Sequence, residues 1–202
     1  MTKEELIDKH RDWNVEHSDW YDCVYSGFIE DMKAIGIDAT KMYFSGFWSQ
    51  GDGACFEGSV EDWDLFLGSL GYTDKVLTQH AMDHFRFSVK HSGHYYHENC
   101  TSFDTDLCLP GGYYEAAMAE FAAQYTPHPW EADDIRTKAW LALLGKYDST
   151  ELEDEFEEAF KGHMRQLYKN LEAEHDYLTS DEAVWESLEA NDMTDEMEET
   201  DG

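Results

Sequence analysis

The residues best equipped for chemistry in this chain are histidines. His80, His84, His91, His94 and His97, together with Cys100, fall within 21 positions. Neutral imidazole and thiolate are the usual donors to zinc. His80 and His84 are four apart, which puts both on one face of a helix. His91 and His94 flank Ser92-Gly93, a turn across which they could converge, whereas His94 and His97 differ by an odd number and would face opposite sides of a strand. A zinc ion on His80, His84, His91 and His94 would activate water, making the chain a metal-dependent hydrolase. The alternative is that the cluster is structural.

His80-Ala81-Met82-Asp83-His84 also resembles the HxxEH motif of a zinc-peptidase family, with Asp83 where that motif carries its catalytic Glu. The substitution shortens the general base. Cys55 or Cys100 beside a histidine would make a nucleophile, but neither thiol carries a spacing signature for one. The four cysteines, Cys23, Cys55, Cys100 and Cys108, form no CxxC pair, which favours reduced thiols over a disulfide framework.

A different kind of site is suggested by charge. The chain has 45 Asp and Glu against 14 Lys and Arg in 202 residues, a formal net charge of −31. A magnitude of roughly 2–8 keeps a small domain dispersed, so solubility alone does not account for it. Residues 148–202 hold 20 acids and 3 bases, while residues 1–147 hold 25 and 11. There is no basic stripe to neutralise phosphates, so direct nucleic-acid binding is excluded and the complementary partner is cationic. A salt-adapted surface would also be acidic, but 10 Lys against 4 Arg argues against it. Helical carboxylates three and four residues apart lie about 5–6 Å apart. Glu151, Asp154, Glu155 and Glu158 could therefore imitate a row of phosphates and occupy the groove of a basic protein.

These residues need elements to hold them. With 42% hydrophobic and 15% aromatic residues, the chain has material for a core and is unlike a disordered acidic chain. Thr2 and Glu5 predict a capping box for a first helix, and Ser18 a cap for a second that Gly36 stops near Ile35. Lys41–Trp48 and Ala54–Gly58 read as a β-hairpin around the loop Ser49-Gln50-Gly51-Asp52-Gly53. Ser59 is expected to cap a short helix containing Trp63 and Phe66, and Thr73–His84 to form another. Phe85, Phe87 and Val89 alternate into a second hairpin, turned at Ser92-Gly93 and returning through His94–His97. Helices are expected at Tyr113–Gln124, Glu131–Leu144 and Glu151–Tyr177. The last carries an inner stripe of Leu152, Phe156, Phe160, His163 and Leu167, with Thr150 and Glu153 as its capping box and Glu153, Asp154, Glu157 and Glu158 turned outward.

The expected fold is α+β: a small antiparallel sheet of two hairpins packed by several helices, with a helical acidic C-terminal region. Residues 1–178 form one globular domain, 179–190 a short acidic helix and 191–202 a disordered acidic tail. No apolar run has the length of a signal or of a membrane span, which points to the cytoplasm.

The segment Phe44-Ser45-Gly46-Phe47-Trp48-Ser49-Gln50-Gly51-Asp52-Gly53-Ala54-Cys55-Phe56 resembles one in an uncharacterised protein family of tailed bacteriophages, with the pattern FSGFxSQGDGAxF. That resemblance implies a phage setting and no particular chemistry. Within the loop, Asp52 could present a carboxylate to a partner; otherwise the glycines supply positive φ and Asp52 local turn bonds. No Lys-Ser/Thr follows, so it is not a phosphate loop. Together these features lead to a non-enzymatic, phage-type acidic protein without a cofactor. It would bind and inhibit a basic, DNA-handling host factor by DNA-like electrostatic mimicry, through Glu151, Asp154, Glu155, Glu158 and Asp52. The alternatives are the zinc hydrolase and a structural or assembly protein.

Overall fold

The computed structural model describes residues 1–109, Leu143 and residues 146–196. Of the expected helices, Tyr113–Gln124 and, apart from Leu143, Glu131–Leu144 lie outside the described residues, as do residues 197–202. The chain is α+β. In order it forms α1 (Lys3–Lys9), α2 (Trp13–Glu16), α3 (Tyr21–Ala34), β1 (Ile37–Phe44), β2 (Ala54–Val60), α4 (Trp63–Ser69), α5 (Lys75–His84), β3 (Phe85–His91), β4 (Thr101–Leu107), α6 (Ser149–Leu178) and α7 (Asp181–Ala190). The four strands make one antiparallel sheet in the order β1-β2-β3-β4.

Several boundaries differ from the sequence expectation for local reasons. The Thr2–Glu5 capping box is present on α1. Ser18 does not cap α3, because its hydroxyl donates instead to Asn14 O, and no side chain caps the helix at Trp20. Ser59 is a β2 residue; the cap of α4 is Asp62, whose Oδ1 accepts from the N–H groups of Asp64 and Leu65. In α6 the cap is Asp148 rather than Thr150. A carboxylate aimed at free N–H groups also meets the positive end of the helix. At the end of α3, Gly36 has φ +83° and its carbonyl accepts from Glu61 and Asp62, which fastens this turn to the β2–α4 junction.

The second hairpin returns later than expected. The strand partner of β3 is Thr101–Leu107, with Phe85 opposite Leu107 and His91 opposite Thr101, so His94–His97 lie in the connecting loop. Thr101, Phe103, Thr105 and Leu107 are half-buried and alternate with the exposed Ser102, Asp104 and Asp106.

The longest described helix, α6, packs across the core alongside α3, α4 and α5. Leu152, Phe156, Phe160, Met164, Leu167 and Leu171 form the buried stripe of α6. Met164, not His163, takes the fourth position, since the spacing stays at four until Leu167. Phe160 stacks on Phe56 at 5.7 Å and meets Phe87 at 5.1 Å, binding α6 to β2 and β3. A second, smaller cluster joins the two ends of the chain. Leu6 and Ile7 of α1 bury against Val184 and Leu188 of α7, with Trp185 and Met193 alongside. Arg11 donates to Thr179 O at 3.1 Å and pairs with Asp181 at 2.9 Å. The boundary drawn at 178/179 therefore falls inside this contact, and the expected tail begins with a 3-10 turn, Met193–Glu196.

Candidate functional site

The histidines do not assemble. His84 ends α5 and His91 ends β3; at about 3.3 Å per residue the strand holds them more than about 20 Å apart. His80 and His84 form one pair, with ring centroids 4.6 Å apart. His80 is buried, and its Nε2–H donates to the Cys108 carbonyl at 2.7 Å. Burial holds this imidazole below its ordinary pKa, against the opposing pull of that bond. At the other end of β3, His91 donates from Nε2 to Tyr95 O at 3.1 Å and packs on Tyr43 and Tyr96. His94 is exposed, edge-on to Tyr95. Among the described residues no group of three or more His, Cys, Asp or Glu is arranged to hold a metal ion.

The thiols divide similarly. Cys55 is fully buried and its pKa is pushed up to about 12, chiefly by burial, which disfavours the thiolate a nucleophile needs. Cys100 lies 3.8 Å from His97 Nε2. Because His97 Nδ1 accepts from the Asn99 N–H at 3.1 Å, the neutral ring carries its hydrogen on Nε2, facing the sulfur. This Cys–His contact has no motif by which the sequence announces it.

The Ser49–Gly53 loop is built inward. Asp52 Oδ2 accepts from the backbone N–H groups of Trp48 at 3.1 Å and Ser49 at 2.6 Å, so this carboxylate closes the loop instead of standing at its tip. Gly51 has φ +96°, and a Cβ there would stand 2.3 Å from the ring of Tyr95; at Gly53 a Cβ would stand 2.5 Å from His97 Cβ. The glycines thus let the β1–β2 loop lie directly against the β3–β4 loop. On its other side the loop is fastened to α6, where the Tyr168 hydroxyl donates to Phe47 O at 3.1 Å. Burial raises the Tyr168 pKa, and the nearby carboxylates of Glu172 and Asp52 raise it further.

One large side chain is left on top. Trp48 is 79% exposed, the most exposed of the large apolar residues described. Its ring meets His175 of α6 at 5.3 Å and Phe47 at 5.5 Å, both edge-on. Phe47 and Trp20 also contact His175, at 5.0 and 5.8 Å. The result is an aromatic platform supported from beneath by α3, α6 and the loop. Sequence reasoning singled out the loop and overlooked Trp48, although a tryptophan beside a glycine-rich turn was a visible signal.

The acidic row of α6 is only partly free. Glu151 and Asp154 are exposed. Glu155 accepts from the Tyr72 hydroxyl at 2.5 Å, and Glu158 is paired with Arg165. Glu153, expected to face outward, is half-buried and accepts from Thr105 on β4. Six cationic side chains, Arg11, Lys41, Lys75, Lys146, Lys161 and Arg165, are already engaged by carboxylates. Over the whole sequence carboxylates outnumber lysines and arginines by 31.

Among known families, one described as "Domain of unknown function (DUF8835)" matches residues 20–181. The match takes in Trp20, the whole sheet, the two loops and α6, and stops at the first residue of α7. No curated protein and no solved structure matches the chain.

Proposed function

The chain belongs to the DUF8835 family, and from the surface its fold builds we propose that it is a binding protein for a basic, DNA-handling host factor, which it inhibits by presenting carboxylates where DNA presents phosphates. The observation that carries this reading is the unpaired acid: a body with a net charge of −31 in which much of the available cation is already used in ion pairs. So large an excess costs compactness through self-repulsion, and it attracts and steers a cationic partner. Glu151 and Asp154 on the exposed face of α6 supply the free end of the row, and Glu155 and Glu158 extend it from held positions. The resemblance of Phe44–Phe56 to a phage segment supports a bacterial host as the setting. Asp52, occupied with its own loop, contributes to the shape of the surface more than to its contacts.

The test is capture of partners from bacterial lysate by the full chain, at low and high salt and with duplex DNA as competitor. Recovery of a DNA-binding enzyme that both salt and DNA release supports mimicry. A variant carrying Glu151→Gln, Asp154→Asn, Glu155→Gln and Glu158→Gln should lose that enzyme while keeping its fold. Capture unchanged by DNA, by salt and by the four substitutions refutes the proposal.

A further inference from the structure

The Trp48 platform has chemistry of its own. A single exposed apolar side chain on a protein surface needs no explanation, but Trp48 is neither isolated nor loosely held. Its backbone N–H is bound by Asp52, the residue before it is anchored by Tyr168, and its ring leans on His175 and Phe47. An indole fixed in this way and left 79% exposed loses little freedom when a partner covers it.

The helix beside it carries anionic groups. Asp176 adjoins His175, with its Oδ1 4.0 Å from the ring Nδ1, beyond hydrogen-bonding distance. Glu172 lies one turn before His175 on the same helix and, with Asp52, is near the Tyr168 hydroxyl. Glu172 and Asp176 are exposed, and neither has a lysine or arginine partner among the described residues. Glu172 and Asp176 are one turn apart on α6, to either side of the His175 that the indole meets; an aromatic face with two exposed carboxylates on the neighbouring helix matches a cation that can lie flat on a ring while its hydrogens reach sideways to oxygen. The guanidinium does this, being planar, weakly hydrated and forked; an ammonium is compact and strongly hydrated.

We propose that the Trp48 platform is an arginine-binding site. It takes a guanidinium from an arginine-rich protein segment, stacked on the indole and bonded to Glu172 and Asp176. The assignment rests on the reading that this protein binds a cationic partner, and names the anchor of that contact. Buried or half-buried aromatic–arginine pairs are common energetic centres of interfaces, with outlying charges acting mainly on association rate.

The experiment is calorimetric titration of the full chain with hexa-arginine and hexa-lysine peptides at low salt. One cation–π contact predicts that wild type prefers the arginine peptide by about two- to five-fold. Trp48→Ala should erase that preference, and Trp48→Phe should keep part of it. Glu172→Gln with Asp176→Asn should weaken both peptides and flatten their salt dependence. Circular dichroism checks that each variant is folded. An arginine preference that survives Trp48→Ala, or that never appears in wild type, overturns the proposal. If the α6 variant still loses its captured enzyme in that case, the acidic-surface reading stands without the platform. If instead the α6 variant captures as wild type does while Trp48→Ala erases the preference, the platform stands and the α6 row falls.

Discussion

Gly53→Ala is the sharpest test of the two-loop arrangement, because the added methyl has no route of escape. It would stand 2.5 Å from His97 Cβ, 3.0 Å from Tyr96 O and 3.1 Å from His97 Cα. Carbon atoms settle at about 3.5–4.0 Å, so the loops must part by about 1 Å. None of the three atoms lies at the end of a rotatable side chain, so relief has to come from the backbone. Gly53 is itself buried, and its carbonyl accepts from Ser45 N at 3.2 Å to close the hairpin. Overpacking of this kind costs about 1–3 kcal/mol. At about 2 kcal/mol, and about 2–4 °C per kcal/mol for a chain of this size, the expected fall in Tm is about 4–8 °C. Gly27→Ala is the internal control. Gly27 lies within α3, has nothing within 4 Å of its would-be Cβ and is exposed. Alanine there should stabilise by about 0.5–1 kcal/mol through helix propensity. Thermal melts by circular dichroism read both variants. A Gly53→Ala protein that melts with wild type would mean that the loops are not in contact, and the platform built on them would lose its support.

Two further outcomes are expected. Burial holds the His163 imidazole below its ordinary pKa, so between the folded and unfolded values the unfolded chain binds more protons. This group's contribution is fully present above the ordinary histidine range and is lost as pH falls through that range to the lower folded-state value, at no more than about 1.4 kcal/mol per pH unit. Acid also relieves the chain's self-repulsion, so the readout is the difference between wild type and His163→Gln in how stability from urea melts changes with pH; equal pH dependences refute it. Thiol titration gives the second. Cys55, buried with its pKa near 12, should react with Ellman's reagent only after denaturation, while the exposed Cys23 reacts in the native protein. Cys108 donates to Asp106 at 2.8 Å, which raises its pKa and should make it slower than an ordinary exposed thiol. Rapid native-state modification of all four cysteines would refute the burial of Cys55.

Much of this protein was determined along the chain. Charge is additive, so the acidic surplus and the cationic character of a partner follow from composition alone. The α1 capping box, the Gly36 stop and the first hairpin are local signals, and four of the six buried positions of α6, Leu152, Phe156, Phe160 and Leu167, follow from helical period. The β4 strand was also legible, since Thr101–Leu107 alternates strictly, but the turn signal at Ser92-Gly93 drew the return strand too early. What only the tertiary structure decided was which side chains meet. Sequence proximity grouped His80, His84, His91 and His94, and a fully extended β3 pulled them apart. Ser59 was drawn into β2 opposite Asp38 and Ser88, which left Asp62 to cap α4. The platform joins Trp20, Trp48 and His175, residues of three distant segments, through contacts no local pattern encodes. The physical reason is range: propensity, capping and periodicity act over a few residues, whereas a site is assembled by burial, which is indifferent to distance along the chain.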